Sequence, residues 1–160
     1  MVLNRMKYEQ LKHNIPYDVR NTIRGSEIIQ GERSLEAQLP DRLKRETTDY
    51  DVYSKNPKKS AIQTERYLDK EFGGNYFKVK AGKHKGTYKV VSNIDNETYV
   101  DFTKPTEKTP NIKIGETRYT TLRFELIKAL RTLKNKQYTY RHAKEENKIK
   151  RLKEYFKSRW

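Results

Sequence analysis

The fold of this chain depends most on one short stretch, Thr47-Thr48-Asp49-Tyr50-Asp51-Val52-Tyr53-Ser54. Its alternation predicts a short strand, with Tyr50 and Val52 on one face and Asp49 and Asp51 on the other. Aspartate is depleted in strands, and two carboxylates one pleat apart repel each other unless a cation lies between them. The pattern therefore indicates a site where both carboxylates bind divalent metal ions. The alternative is an edge strand whose aspartates face solvent.

A third carboxylate later in the chain fits the metal-site interpretation. The segment Tyr99-Val100-Asp101-Phe102 also has the alternation of a strand. If this strand neighbours the first one, Asp101 completes a set of three metal-binding carboxylates with Asp49 and Asp51.

The charge and composition limit the class of protein. The chain has 160 residues, enough for one domain, and its hydrophobic content of 33% predicts a lean core. Its 36 Lys and Arg against 21 Asp and Glu give a net charge of +15, which predicts a polyanionic partner, most often nucleic acid. Cysteine is absent, which excludes disulfides. Neither an apolar run of transmembrane length nor a signal peptide is recognisable, so we expect a cytoplasmic protein without a membrane partner.

The order of predicted elements indicates an α+β fold, with a mixed sheet flanked by helices and a helical C-terminal segment. The predicted order along the sequence is a helical arm at 1–18 that stops at Pro16, a strand at 22–30, a helix at 32–39, the Asp-x-Asp strand, a helix from Asn56-Pro57 to Gly73, antiparallel strands at 76–80, 87–91 and 98–103, a linker or loop at 104–113, and two helices, the second from about Tyr140. We divide the chain into an arm at 1–18, a core at 19–105, and a linker with C-terminal helices at 106–160.

A glycine between a predicted strand and a predicted helix suggests a phosphate-binding turn. Gly31 is followed by Arg33 and Ser34, and backbone N–H groups at a helix start bind phosphate well. Gly25-Ser26 is the alternative position for this turn. The acidic side chain of Glu32 suits a phosphate site only if it points away.

These features together resemble the nucleotidyltransferase superfamily, which includes DNA polymerase beta-like enzymes, poly(A) and CCA-adding polymerases and minimal nucleotidyltransferases. The likeness extends over roughly residues 23–155 and is greatest to viral or mobile-element members. It implies that Asp49, Asp51 and Asp101, on two neighbouring strands, hold two Mg²⁺ (or Mn²⁺) ions, and that a nucleoside triphosphate is the substrate. The family usually has Gly-Ser or Gly-Gly where this chain has Gly31 and Glu32.

The segment Tyr140-Arg141-His142-Ala143-Lys144-Glu145 is similar to an Arg-x-x-Lys-Asp-like segment of the minimal members, with Glu145 in place of Asp. This resemblance implies that Arg141 and Lys144 reach the nucleotide phosphates. The alternative for each is an ordinary solvated helix charge.

A basic hairpin tip is the predicted nucleic-acid contact. Its lysines are Lys78, Lys80, Lys83 and Lys85. The flanking aromatics Tyr76, Phe77 and Tyr88 suggest base stacking beside phosphate neutralisation, or else a soluble loop whose aromatics belong to the core.

We therefore expect a Mg²⁺-dependent nucleotidyltransferase that moves a nucleoside monophosphate from a nucleoside triphosphate to a hydroxyl, with an RNA 3′ end favoured as acceptor. The alternative is a non-catalytic module that keeps the fold and serves in nucleic-acid binding or particle assembly.

Overall fold

The computed structural model describes residues 3–159, apart from the side chains of residues 136–138. The predicted arm and C-terminal segment also include residues 1, 2 and 160, which lie outside the described residues. The elements in chain order are α1 (Arg5–Leu11), α2 (Ile15–Thr22), β1 (Ile28–Gln30), α3 (Glu32–Gln38), β2 (Tyr50–Tyr53), α4 (Pro57–Phe72), β3 (Phe77–Ala81), β4 (Thr87–Ser92), β5 (Thr98–Thr103), β6 (Asn111–Ile114), β7 (Thr117–Thr120), α5 (Leu122–Lys134) and α6 (His142–Lys157). Short 3-10 helices lie at Lys12–Asn14, Asp41–Leu43 and Lys136–Arg141.

Within residues 3–159 the strands form one seven-stranded mixed sheet in the order β3-β4-β5-β2-β1-β7-β6. β2 pairs in parallel with β5, and β1 in parallel with β7. The other neighbours are antiparallel, including the predicted β3–β4–β5 meander. The predicted α+β class, with a mixed sheet and a C-terminal helix, is confirmed.

One face of the sheet carries the larger apolar core and is covered by α1, α2 and α4. Val52 on β2 and Val100 and Phe102 on β5 are buried against these helices. The alternation of the Asp-x-Asp stretch explains this placement, because burying Val52 necessarily turns the aspartates to the opposite face.

The opposite face is only half covered. Helices α3, α5 and α6 pack together around a second core of five leucines, Leu35, Leu39, Leu43, Leu122 and Leu152. Helix α3 packs on β1, β2 and β7. Among the described residues, no helix packs extensively on this face of β3, β4 and β5. A cleft therefore opens beside β2, where the sheet passes from covered to uncovered.

The signals at the ends of α4 behave as predicted. The Asn56 side chain accepts a hydrogen bond from the Lys59 backbone N–H at the helix start, and Pro57 occupies the first turn. Gly73 ends the helix in the left-handed conformation, with a φ of 77°.

Four predictions about elements are wrong. Pro16 does not end the arm but lies in the first turn of α2, a position where proline needs no N–H partner. Only Ile28–Gln30 of the predicted strand at 22–30 forms a strand, because α2 continues to Thr22 and a turn follows at Gly25-Ser26. The predicted linker at 104–113 contains the start of β6, which pairs with β7. The helical spacing of Ala61, Ile62, Tyr67 and Leu68 predicts that Tyr67 lies on the buried face of α4, but Tyr67 is exposed.

No helix among residues 3–159 combines the length and the apolar character needed to cross a bilayer.

Candidate active site

Asp51 and Asp101 lie side by side in the cleft. They are direct partners in the parallel pairing of β2 with β5, and partners in register project from the same face of a sheet. Gln30 on β1 is the partner of Asp51, and Lys89 on β4 is the partner of Asp101. Since Lys89 in turn pairs with Lys80 on β3, a row of polar side chains crosses five strands with the two carboxylates in its middle.

Burial and mutual repulsion raise the pKa of both carboxyl groups. The pKa of Asp101 rises from its ordinary 3.8 to about 6, first through burial and then through the charge of Asp51, although Lys89 opposes the shift. Burial, followed by the charge of Asp49, also raises the pKa of Asp51. Among the described residues, Oδ1 of Asp101 is a buried side-chain oxygen with no hydrogen-bond partner. Paired carboxylates with an orphaned, buried oxygen are a donor set that fits a hard divalent cation.

Asp49 lies beside this pair but does not complete a cluster of three. It precedes β2 by one residue, and its Oδ1 accepts a hydrogen bond of 3.1 Å from the Thr47 hydroxyl. Its charge nevertheless contributes to the raised pKa of both Asp51 and Asp101. In the part of the chain that the structure describes, no group of three His, Cys, Asp or Glu side chains is arranged to hold a metal ion. Of the three predicted carboxylates, Asp51 and Asp101 are therefore partners in strand register, and Asp49 is a third charge nearby.

Besides Lys89, which faces Asp101, three cations face Asp51, and two of them belong to the predicted segment near the C-terminus. Arg141 and Lys144 line the same small cavity as Asp51, and both stabilise its ionised form. The third, Lys128 on α5, was not predicted. Its Nζ donates to Oε1 of Gln30 and lies 5.8 Å from the centre of the Tyr53 ring. Only its position opposite β1 and β2 distinguishes Lys128 from the other lysines of the chain.

Gly31 brings the backbone close to Asp51. It precedes α3 with a φ of 71° and a ψ of −149°, a conformation that side chains disfavour. A Cβ at this position would lie 3.1 Å from Oδ2 of Asp51. The turn predicted from the glycine is therefore part of the cleft.

The role predicted for Ser34 as a phosphate ligand is wrong. Ser34 is fully buried, and its hydroxyl donates a 2.6 Å hydrogen bond to the carbonyl of Thr120. Arg33 lines the cleft, but its guanidinium already has partners: the Asp49 carbonyl, the Glu36 carboxylate and the ring of Tyr50. A phosphate would have to compete with these contacts.

Strand register decides between the two candidate phosphate turns. Gln30, which precedes Gly31, pairs with Asp51, whereas Ile28 at the other end of β1 pairs with Tyr53. Ser26 therefore lies at the far end of the strand, where it lines a separate cavity with Ser54 and Lys55. The alternative at Gly25-Ser26 is away from the carboxylates.

Glu32, the acidic departure next to Gly31, is neutralised by Arg151 of α6. The Arg151 guanidinium donates to both oxygens of Glu32 and, at 3.2 Å, to the carbonyl of Leu43. Because this ion pair is largely buried, Glu32 does not present a bare charge to the cleft.

Three cavities adjoin at the carboxylates. The smallest, about 60 Å³, is lined by Gly31, Asp51 and the three cations, and it shares walls with two larger ones. One of about 550 Å³ lies on the side of Asp49 and Lys144. The other, about 460 Å³, contains Asp51 and Asp101, and its basic lining residues are His84, Lys85, Lys104, Lys128 and Arg141.

No protein-family model and no curated protein matches the sequence. Among solved structures, the chain is similar to the crystal structure of the Megavirus polyadenylate synthase, with a TM-score of 0.69, 22% sequence identity, and coverage of 91% of this chain and 31% of the viral chain. The fold is nucleotidyltransferase-like. The chain thus spans about a third of the length of that viral enzyme, and at this identity the likeness concerns the fold alone. JHP933 from Helicobacter pylori has a TM-score of 0.41 at 14% identity, with coverage of 80% of this chain and 58% of that chain, which is too low to support an argument.

In this nucleotidyltransferase-like fold the β3–β4 hairpin tip borders the cleft. Lys80, Lys83 and Lys85 are exposed and Lys78 is half-buried. Of the two alternatives for the flanking aromatics, base stacking or a place in the core, the structure supports the core: Tyr76 and Phe77 are buried, and Tyr88 packs against the same cluster. The hairpin therefore offers charge to the cleft, but not these rings.

Proposed function

We propose that this protein is a metal-dependent nucleotidyltransferase that moves a nucleoside monophosphate from a nucleoside triphosphate to a hydroxyl, with an RNA 3′ end as acceptor. The observation that carries the proposal is the register pairing of Asp51 with Asp101 in the middle of a nucleotidyltransferase-like sheet, where one face becomes uncovered. A protein that only binds polyanions gains nothing from two partly buried carboxylates in the middle of its basic cleft, since their charge repels the ligand.

Asp51 and Asp101 would hold the divalent ion, with Asp49 available to a second ion beside them. The orphaned Oδ1 of Asp101 and the mutual repulsion of the pair both support this assignment. Mg²⁺ or Mn²⁺ bound there supplies charge stabilisation to the attacking and leaving oxygens of the transferring phosphate.

The reaction forms one bond and breaks one. The acceptor hydroxyl oxygen attacks the α-phosphorus, and the bond from that phosphorus to the bridging oxygen breaks, so that pyrophosphate leaves with the electron pair. The hydroxyl proton would pass to Asp101, whose pKa in the absence of metal is raised to about 6 by burial and by the charge of Asp51. Lys128, Arg141 and Lys144 would bind the triphosphate and the departing pyrophosphate.

The nature of the acceptor follows from charge. The net charge of +15 and the basic lining of the 460 Å³ cavity that contains Asp101 favour a polyanion over a neutral small molecule. RNA is our choice of polyanion, and a cytoplasmic location remains the expectation from sequence.

A transfer assay tests the proposal. The parent protein, incubated with Mg²⁺ or Mn²⁺, an α-labelled nucleoside triphosphate and a single-stranded RNA, should extend the RNA by labelled nucleotides. Asp51→Asn and Asp101→Asn should each abolish the label, while Asp41→Asn, which removes an exposed carboxylate outside the cleft, should not. Transfer that persists in both cleft variants would refute the assignment of the site.

One observation favours the second function, a non-catalytic nucleic-acid-binding or assembly module. In the described residues the carboxylates do not form a three-membered metal cluster. A folded parent protein that binds RNA, but transfers no label with any of the four nucleoside triphosphates, would favour this module over the enzyme.

A further inference from the structure

The uncovered half of the sheet forms a basic surface that leads to the carboxylate pair. On its open face, Lys80 pairs with Lys89, and Lys89 pairs with Asp101, so the cations lie in one row that ends at the site. The hairpin tip adds His84 and Lys85 to the wall of the 460 Å³ cavity, and Lys104 lines the same wall. This surface is able to neutralise several phosphates of a strand whose end lies at Asp101.

An exposed aromatic ring lies at the mouth of this surface. Tyr140 comes from the 3-10 helix Lys136–Arg141, distant in sequence from the hairpin, and is 68% exposed. Its ring lies beneath Lys83 of the hairpin tip, with Nζ 5.8 Å from the ring centre. The next residue, Arg141, lines the cavities that contain Asp51. The ring and the cations of the hairpin are thus presented together at the entrance to the site.

A large, exposed aromatic among cations matches the needs of one ligand class. Every nucleobase has an apolar face that stacks on an aromatic ring, while its phosphates are bound by neighbouring lysines. In a duplex those faces are already stacked on one another, so only an unpaired strand can use the ring. The hairpin's own rings, Tyr76 and Phe77, are unavailable because they are buried.

We propose that Tyr140 stacks on an unpaired base of the acceptor strand, with Lys83 and Lys85 on the adjacent phosphates, so that the cleft selects single-stranded nucleic acid. The inference rests on the proposed function in one respect, the role of the bound strand as acceptor. The binding site itself rests on the exposure of Tyr140 and its contact with Lys83. Tyr140 is a positioning residue here, since it touches the strand and not the reacting atoms.

A binding experiment without nucleotide or metal tests the stack separately from catalysis. Fluorescence anisotropy would compare two labelled strands of equal phosphate count in EDTA, one ordinary single-stranded RNA and one whose sugars are all abasic. Stacking on one aromatic ring is worth a factor of about 5 to 140 in affinity. Tyr140→Ala should weaken binding of the ordinary strand by a factor in this range and leave binding of the abasic strand unchanged. Tyr140→Phe should bind both strands like the parent.

Tyr17 provides a matched control, since it is 67% exposed and lies on α2, across the sheet from the cleft. Tyr17→Ala should change neither affinity. The salt dependence of binding also separates the contribution of the Tyr140 ring from that of the lysine charges. Lys83→Gln should lower the slope of log affinity against log salt by about 0.7, whereas Tyr140→Ala should leave this slope unchanged. Equal effects of Tyr140→Ala on both strands, or no effect on either, would overturn the inference. Binding that depends on Tyr140 in a protein that transfers nothing would refute the proposed function alone.

Discussion

At the residue scale, Asp51 and Asp101 lie where the proposed function requires carboxylates, although their mutual repulsion does not favour the folded state. The raised pKa of Asp101 means that the folded protein binds a proton more tightly than the unfolded chain. The resulting destabilisation is complete above about pH 6 and absent below about pH 4. Without divalent metal, Asp101→Asn should therefore raise the free energy of unfolding by about 1–3 kcal/mol near pH 8, and the gain should disappear below about pH 4. Urea unfolding at a series of pH values measures this difference. A loss of stability near pH 8 would mean instead that Asp101 forms a stabilising ion pair, with Lys89 as its partner.

Gly31 is a second residue whose identity matters, because its backbone conformation and its close approach to Asp51 both favour glycine. Alanine there must adopt a positive φ and place its Cβ 3.1 Å from Oδ2 of Asp51. Gly31→Ala should lower the free energy of unfolding by about 1–3 kcal/mol. It should also reduce nucleotidyl transfer by the protein that remains folded, because the added Cβ displaces the carboxylate of Asp51. Gly115 is the control, since it also has a positive φ but has no atom within 4 Å of an added Cβ. Gly115→Ala should affect stability only. Equal transfer by the two variants at equal folded fraction would contradict the close approach to Asp51.

Sequence patterns located some of these residues and missed others for physical reasons. Alternation with buried apolar residues fixes the face of Asp51 and Asp101, so their pairing was predictable. The hydroxyl of Ser34 bonds to Thr120, 86 residues away, and no local pattern reveals such a partner. Lys128 is likewise one lysine among many until α5 is placed against β1.

At the element scale, α6 is held to the rest of the molecule by two buried ion pairs. Lys148 donates a 2.6 Å hydrogen bond to Glu125 on α5, and Arg151 pairs with Glu32 on α3. The first turn of the same helix carries Lys144 into the cleft. The ion pairs therefore fix the position of a cation that we assign to the triphosphate.

The pair between α5 and α6 gives a stability prediction. Burial opposes the ionisation of Glu125, but Lys128 and Lys148 outweigh burial and lower its pKa to about 2. Glu125→Gln leaves Lys148 buried without its counter-ion and should cost about 3–5 kcal/mol at neutral pH. Because the folded pKa is depressed, this contribution is present above about pH 4.5 and is lost as the pH falls towards about 2.

Two controls sharpen this measurement by chemical denaturation. The double variant Glu125→Gln with Lys148→Met should recover most of the loss, since no uncompensated charge remains. Glu154→Gln, which breaks an exposed pair with Arg42, should change stability by less than about 1 kcal/mol. A Glu125→Gln variant as stable as the parent at neutral pH would contradict the buried pair.

Elements were predictable where local signals and burial agree. The two ends of α4 carry Asn56 and Gly73, and a regular apolar face lies between them. Strand β6 was missed because Asn111–Ile114 is a mostly exposed edge strand whose identity comes from its partner β7. Pro16 was misinterpreted because proline is common both just after the end of a helix and in the first turn of the next helix.

At the scale of the whole molecule, we expect the positive charges that bind nucleic acid to lie on the side of the protein that carries the hairpin and the cleft. If the hairpin lysines contact phosphates, replacing Lys80, Lys83 and Lys85 together by Gln should flatten the salt slope of single-strand binding by roughly two units. The matched control replaces three exposed lysines of α4, on the covered face of the sheet: Lys58, Lys59 and Lys70. Binding titrations over a range of salt concentrations should show an unchanged slope for this control. Equal flattening in both triple variants would mean that the charge acts without regard to the cleft.

The α+β architecture could be predicted from the order of elements in the sequence. That helices cover only half of the second face of the sheet could not. How far α3, α5 and α6 extend over the sheet depends on packing among distant leucines and on the ion pairs of Glu32 and Glu125. That coverage determines where the cleft opens, and hence which lysines and which aromatic ring border it.

The most direct test of the central claim is a crystal soaked with Mn²⁺ and a non-hydrolysable nucleoside triphosphate. We predict anomalous density for manganese in contact with the carboxylates of Asp51 and Asp101, and phosphates against Lys128, Arg141 and Lys144. Manganese and triphosphate bound elsewhere, with Oδ1 of Asp101 still lacking a ligand, would contradict the account.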